Sequence, residues 1–354
     1  MRLYATRRQE PWFWGSCLVV PIALALSLAL CGLLLAVQGK PALLGLAYLA
    51  EGAFGSTHAL QDTVLKAVPI YLCALGVAVA FRMQVWNIGA EGQFALGAVG
   101  ATFAVMHFSQ SPSWVLLPMM FLCAGAAGGL YALIPALLKT RLRVNEIITT
   151  LMLNYIGINF LHWLVYGPWK DPTSFGFPMT PQFPAAAFFP RLPGTRLHLG
   201  VVVCVLAGLA VWLWLSKTRL GYEIKASGLG PAASRYARMP YGFLVCLVMV
   251  VCGALAGLAG LNETAVSAGR LQPSVMAGYG YTAIVVAWLA RLNPLAIGLA
   301  ALLLAGLRVG VEALQLSLQV PAAFGGIMEG LILLTVLAGQ FVTNFRFRID
   351  RGPK

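Results

Sequence analysis

Charge is scarce in this sequence. Only 10% of its 354 residues are Asp, Glu, Lys or Arg, against roughly 25% in a water-soluble domain. With 60% hydrophobic residues, that shortage excludes a chain that folds around one core in water. Paired cysteines are missing too. Cys17, Cys31, Cys73, Cys123, Cys204, Cys246 and Cys252 all fall in apolar stretches without paired spacing, which excludes a disulfide framework and a thiolate metal site and leaves small core residues. The four histidines are scattered, so no metal site and no catalytic residue is expected. No GxxxxGK[ST] pattern occurs, so the chain carries no phosphate-binding loop of that type. No nucleophile–base pair points to an enzyme working inside the membrane. The short alternating segments of a membrane barrel are also absent.

What is present is a series of apolar runs, each near the ~20 residues that cross a bilayer as a helix. The expected fold is an all-α integral membrane protein, one transmembrane domain over 1–354, with about ten transmembrane helices. Their expected positions are 14–37, 63–82, 89–108, 114–138, 144–166, 199–216, 241–261, 279–291, 294–316 and 325–344. The eighth is too short to cross alone and is expected to begin in the irregular stretch before it. The run from Trp14 to Val37 follows Arg2, Arg7 and Arg8. It is long for a signal peptide and lacks a small-residue cleavage site, so an uncleaved, peripheral first helix is expected. The segments 63–166 and 241–344 read as two related halves, separated by an external loop at 167–198 and a cytoplasmic segment at 217–240.

The net charge of +13 would suggest nucleic acid in a soluble protein. Here Lys and Arg crowd into short loops, and the bias reads as membrane sidedness. With both termini cytoplasmic, the inside segments hold seventeen of the 24 basic residues: Arg2, Arg7, Arg8, Arg82, Lys139, Arg141, Arg143, Lys217, Arg219, Lys225, Arg235, Arg238, Arg291, Arg346, Arg348, Arg351 and Lys354. The outside segments hold six, Lys40, Lys66, Lys170, Arg191, Arg196 and Arg270, and Arg308 lies within a helix. Nucleic acid is therefore not an expected partner. The Pro-rich loop 167–198 reads either as a lid or docking surface for an external partner, or as an irregular cap over helix ends. In KTRLGYEIKASGLGPAASRYARMP, residues 217–240, two short helices separated by GLGP form a face for another protein.

Four polar clusters interrupt the apolar runs, and such residues face a cavity, a partner or a pathway. In VWNIGAEGQ, residues 85–93, Asn87 can cap the third expected helix with Glu91 in its first turn. That leaves Trp86 and Gln93 unexplained, whereas a broken helix opening onto a central pathway accounts for all four. In NEIITTLMLNYIG, Glu146, Thr150, Asn154 and Gly157 recur at i, i+4, i+8 and i+11 and share one helix face. Thr150 is assigned to packing, and Asn154 to packing or the pathway. Arg308, Glu312, Gln315 and Gln319 share a face of the ninth helix. Arg308 and Glu312 read as a buried structural pair, or the face lines a subunit interface. Asn262 and Glu263 open a polar, Gly-rich break at 260–284. The two breaks fall at corresponding places in the two halves, a pointer to a transporter's central path. Gly125 with Gly129, and Gly253 with Gly257, have the GxxxG spacing of closely packed helices.

NIGAEGQ at 87–93, NEIITTLMLNYI at 145–156, GYEIKASGLGPAASRYARM at 221–239 and GYGYTAIVVAWLAR at 278–291 together resemble the permease subunit of an ABC importer. The likeness runs from about residue 60 to 340. It is closest to the simple-sugar and nucleoside permeases, which are related to ribose and branched-chain amino acid permeases. The first two motifs resemble the nucleoside branch. The resemblance implies a permease in a bacterial inner membrane, paired with a second permease subunit, expected to be a paralogue. It implies a cytoplasmic ABC ATPase that uses the ATP, and an extracytoplasmic binding protein. This chain would bind no cofactor itself. A substrate pathway would involve Trp86, Asn87, Glu91, Gln93, Asn154, Asn262 and Glu263. By the same resemblance Gly221, Glu223, Ala226, Gly228, Ala232, Ala233 and Tyr236 would contact the ATPase. The chain departs from the family at Val85-Trp86, where Phe often precedes the Asn, which bears on substrate identity. The alternatives are the same machine moving a simple sugar such as ribose, or an ion-coupled secondary transporter using Glu91, Glu146 or Glu263. A membrane scaffold without transport leaves both polar breaks unexplained.

Overall fold

Each of the ten apolar runs coincides with a helix in a computed structural model, which describes residues 2–7 and 15–350. Arg8, Trp14, Arg351 and Lys354 lie outside the described residues. The elements run β1 (Arg2–Arg7), α1 (Gly15–Val37), α2 (Ala42–Phe54), α3 (Thr57–Arg82), α4 (Ala90–His107), α5 (Ser113–Leu142), α6 (Glu146–Tyr166), α7 (Leu199–Lys217), α8 (Arg219–Leu229) and α9 (Pro231–Tyr236). They continue with α10 (Tyr241–Asn262), α11 (Tyr279–Leu289), α12 (Pro294–Leu318), α13 (Ala322–Asn344) and β2 (Phe345–Asp350). Short pieces at Ala185–Ala187 and Pro273–Val275 are 3₁₀ turns, and Glu263–Ala268 prolongs α10 as a π-helix.

Local chemistry sets several boundaries. Asn145 Oδ1 accepts the Ile147 N–H at 2.9 Å and starts α6. Thr218 Oγ1 accepts the Gly221 N–H at 3.1 Å and starts α8. At the end of α3, Val85 N–H bonds to Ala80 O at 3.2 Å and Gln84 N–H to Phe81 O at 2.9 Å. Gln84 has φ 57°, so this is a Schellman stop built without glycine.

Six of the described helices are long and apolar enough to cross a bilayer: α3, α5, α6, α7, α12, and α10 with its π-helical extension. The protein is a multi-pass integral membrane protein. Two features depart from the sequence reading. Helix α2 was not expected; at 13 residues it is too short to register as a span. Helix α11 has 11 residues, about 16 Å of rise, and so reaches through only half a hydrocarbon core of about 30 Å.

The chain divides into two compact units, 1–63 with 306–354, and 64–305. In the first, α1 packs along α2 and α13. Helices α2 and α12 approach through glycine: a Cβ on Gly52 would strike Ala313 Cβ, and one on Gly310 would strike Leu49 O. Strands β1 and β2 pair antiparallel, Arg2 opposite Asp350 and Arg7 opposite Phe345, so the two chain ends lie side by side. The alternation FRFRID favours a strand there. This ribbon is the one described exception to the all-helical expectation. Of the expected Arg308–Glu312 pair, Arg308 is half-buried and Glu312 is exposed.

In the second unit α4, α5 and α10 form the core. They meet on glycine faces, where backbone approaches backbone without a side chain between. A Cβ on Gly97 would strike Gly257 Cα, one on Gly128 would strike Gly253 O, and one on Gly257 would strike Ala124 O. Gly128, which the GxxxG spacing passes over, makes the α5 contact. A Cβ on Gly125 would meet only Leu258 Cδ2, at 3.9 Å.

The two ends of this unit differ. At one end Gly228 lies against the backbone of Arg82 and Met83. The Arg82 guanidinium donates to Leu292 O at 2.8 Å, and Lys139 pairs with Glu146. At the other end the 167–198 loop caps the helices. Phe183, Ala187 and Phe189 join a buried cluster with Ala104, Met120, Leu261 and Ala265. Phe189 stacks on Phe121 with centroids 5.4 Å apart. Phe183 N–H and Thr180 N–H bond to Gly269 O and Leu271 O at 2.8 and 3.0 Å. The loop thus packs as a cap over these helix ends, while Phe175 and Phe177 remain exposed on it.

Gly257→Leu therefore forces α4 and α5 away from α10 and is expected to cost at least the ~1–3 kcal/mol of an overpacked core. Gly125→Leu is expected to be nearly neutral. Thermal unfolding of both variants in the same detergent separates them.

Candidate functional site

The seven residues between α3 and α4 carry the backbone down, around and back into the protein. A turn buried in this way leaves N–H and C=O groups that need partners away from water. The polar stripe of α6 supplies them. Glu146 Oε1 accepts the Trp86 N–H at 3.5 Å, and Thr150 Oγ1 accepts the Ile88 N–H at 3.3 Å. Asn154 Oδ1 accepts the Gly92 N–H at 2.7 Å while its Nδ2 donates to Ile88 O at 2.8 Å. Gly157 completes the stripe, and a Cβ there would press on Gly92 Cα and O at 3.2 and 3.1 Å. Thr150, assigned to packing, also bonds the re-entrant backbone. Asn154 is the ninth residue of the 21-residue α6, so α4 starts near the middle of that helix.

Asn87 and Gln93 are buried and bond each other. Asn87 Nδ2 donates to Gln93 Oε1 at 2.9 Å, and Gln93 Nε2 donates to Asn87 Oδ1 at 3.1 Å. Asn87 Oδ1 also accepts the Gly89 N–H at 3.0 Å. Their amides are thus engaged in fixing the break.

Glu91, 2% exposed, ties this break to the second one. Its Oε1 accepts the Gly278 N–H at 3.0 Å and its Oε2 the Gly280 N–H at 2.6 Å. These are unbonded donors at the start of α11, while Glu91 itself sits in the first turn of α4. One carboxylate therefore faces the positive ends of two helices, the favourable place for a buried negative charge. A Cβ on Gly280 would strike the Glu91 N and Ala90 C atoms, so glycine allows the two helix starts to touch. Gly278 has φ 78°, which glycine adopts without strain.

Sequence reasoning singled out Trp86 but missed the aromatic group it joins at the other end of α11. Trp86, 38% exposed, stacks on Trp288 of α11 with centroids 5.6 Å apart and planes 22° apart. Phe81 closes the group 5.0 Å from Trp86. Tyr281, one helix face along from Trp288, is exposed and receives an Asn154 Nδ2 bond at 3.4 Å. The 281/288 spacing in GYGYTAIVVAW was the available signal.

Of the expected pathway residues, Asn87 and Gln93 bond each other, Asn154 bonds the backbone of Ile88 and Gly92 between them, the Trp86 N–H bonds Glu146, and Glu91 bonds the start of α11. Asn262 lies elsewhere, against Gly200 at the start of α7, and its Oδ1 has no hydrogen-bond partner among the described residues. Glu263 is half-buried and opens the π-helical segment.

The residues expected to contact an ATPase divide by exposure. Ala232, Ala233 and Tyr236 are exposed, Tyr236 by 93%. Gly221, Glu223 and Gly228 are buried and Ala226 is half-buried within this chain. Gly221 packs where a Cβ would strike Trp214 O, and Gly228 where one would strike Arg82 O. Glu223 accepts from Arg219 Nε at 2.9 Å. These four seat α8 on the protein, and its outward face is Tyr222 and Leu229.

Residues 59–337 match the family described as branched-chain amino acid transport system / permease component. The glucose ABC transporter permease protein TsgB13 of Haloferax volcanii is 36% identical over 83% of this chain and 80% of its own. The guanosine ABC transporter permease protein NupP of Bacillus subtilis is 33% identical over 93% and 95%. The nucleoside ABC transporter permease protein NupB of Lactococcus lactis is 30% identical over 84% of each.

Replacing Glu91 by Ala leaves the buried Gly280 N–H without an acceptor, a loss of about 1–3 kcal/mol, and the half-buried Gly278 N–H at a smaller cost. Glu91→Gln keeps one acceptor and is expected to lie between Glu91→Ala and the native protein. Thermal unfolding ranks the three. Amide exchange at residues 278–282 should quicken in the same order.

Proposed function

The chain belongs to the branched-chain amino acid transport system permease family, and we propose that it is the transmembrane subunit of an ATP-driven importer that moves nucleosides or related purines. The observation that carries the substrate reading is the partly exposed Trp86–Trp288 stack between the α3–α4 turn and the far end of α11. A purine base stacks on indole, worth about 1–3 kcal/mol per base. The exposed Tyr281 hydroxyl offers a bond to a ribose or base edge. Both Glu91 oxygens accept backbone N–H bonds, which suits a neutral substrate that brings no counter-charge. The relatives named for guanosine and nucleosides support the same reading. The relative named for glucose favours the second reading, a simple sugar carried by the same machine.

In this proposal the polypeptide crosses a bacterial inner membrane ten times, counting Pro273–Val275 with α11 as one crossing, and α2 as none. Both termini are cytoplasmic. The side-by-side chain ends in the β1–β2 ribbon support an even number of crossings, and the gathering of Arg82, Lys139 and α8 at one end supports the sidedness. A second permease subunit, a paralogue, completes the path. A binding protein delivers substrate from outside. The chain binds no cofactor, and ATP is used by a cytoplasmic ATPase that docks on Tyr222, Leu229, Ala232, Ala233 and Tyr236.

Uptake of labelled guanosine, adenosine, ribose and glucose by cells with and without this gene tests the substrate. Loss of nucleoside uptake, and a roughly tenfold rise in half-saturating concentration in Trp86→Leu, is expected from the loss of one stacking contact. Loss of sugar uptake alone refutes the nucleoside reading. Uptake that persists in a mutant of the partner ATPase refutes the importer. Docking is tested separately: Tyr236→Ala with Leu229→Ser should abolish co-purification of the ATPase while leaving unfolding temperature unchanged.

A further inference from the structure

The cap at 167–198 ends in a hairpin. Leu192 N–H bonds to Leu197 O at 2.8 Å, Leu199 N–H bonds to Pro190 O at 3.1 Å, and Arg191 bridges His198 antiparallel. Residues opposite each other in such a pair point to the same side, as do residues two apart. Arg191, Arg196 and His198 therefore share one face. That face looks into a cavity of about 440 Å³, walled by Phe188, Phe189 and Val266 and by the three basic side chains. Val266 belongs to the π-helical segment after α10, an irregularity frequent at functional sites.

His198 is 2% exposed. Its Nδ1 accepts the Gly200 N–H at 3.0 Å, so in the neutral ring Nε2 carries the proton. Burial, and then the charge of Arg191, pushes its pKa down to about 4, so the ring is neutral at neutral pH. Nε2 is buried and has no partner among the described residues. An unbonded buried donor costs about 1–3 kcal/mol, and this one lines a cavity with two guanidinium groups. Every polar side chain lining it is thus a donor, and its remaining walls are apolar.

We propose that this cavity binds a phosphate carried on an apolar stem, with the phosphate oxygens held by Arg191, Arg196 and His198 Nε2 and the stem against Phe188, Phe189 and Val266. His198 caps α7, a helix long and apolar enough to span, so the cavity lies where a spanning helix enters the membrane. Lipid phosphates occupy that level. A soluble phosphate compound has the same chemistry, and the test separates the two sources.

The intact transporter in a neutral maltoside detergent is titrated by calorimetry with dioctanoylphosphatidylglycerol, with inorganic phosphate and with dioctanoylglycerol. Saturable binding of a phosphate probe is expected, weakened at least tenfold in Arg191→Ala and in His198→Asn, and none for dioctanoylglycerol. Asn retains an N-cap acceptor for α7 and removes the Nε2 donor. Arg191 is exposed, so its variant tests the site even where the His198 variant fails to fold. Tighter binding of the lipid identifies a headgroup, and equal binding identifies a free anion. The site is refuted if neither phosphate probe saturates, if dioctanoylglycerol binds as well, or if the folded variants bind like the native protein.

Discussion

One buried carboxylate sets the geometry of the candidate site. Glu91 stands in the first turn of α4 and receives the N–H groups of Gly278 and Gly280 at the start of α11. Two helices begin at one level inside the protein. Each brings unpaired donors and a partial positive charge that a hydrocarbon surrounding would not tolerate. The carboxylate answers both, and the helix ends answer the carboxylate. Neither the charge nor the broken helices is stable there alone. The α6 stripe, the Asn87–Gln93 amide pair and the Trp86–Trp288 stack all act on the segment that this arrangement holds in place.

The glycine core serves the same end. A segment that re-enters between helices needs neighbours that approach closely and leave no polar backbone exposed. Glycines on α4, α5 and α10 let backbone meet backbone at Gly97, Gly128, Gly253 and Gly257. Gly92, Gly157 and Gly280 repeat the device at the junction itself. Polar satisfaction and close packing are thus supplied by neighbouring residues of the same few helices.

Much of this was legible in the sequence. Apolar length located the helices, and the Glu146, Thr150, Asn154 and Gly157 periodicity identified the face that meets the break. Four features were not legible, each for a physical reason. Helix α2 is apolar but shorter than a bilayer requires. Gly128 lies outside the four-residue spacing because the face of α5 is set by where α10 crosses it, which is tertiary information. The partner of Glu91 is nearly two hundred positions away, and its backbone donors have no residue-type signature. Across α8 and α9, residues matched to a docking motif divide into outward ones such as Tyr236 and inward ones such as Gly228. A motif records that a residue matters without recording which way it points.

Helix α11 is fastened at both ends, by Glu91 at its start and by Arg82, which holds Leu292 O just beyond its end. Its eleven residues act as a short rigid strut between the start of α4 and the end of α3. Bending it would break these bonds. The irregular stretch 269–278 before it turns at Gly269 and Gly278, with φ of 62° and 78°, and is itself tied down: Gly269 O accepts the Phe183 N–H of the cap and the Gly278 N–H is held by Glu91. The broken helix is therefore braced on both sides of its irregular stretch, so the interruption carries backbone polarity into the protein without leaving a loose segment there.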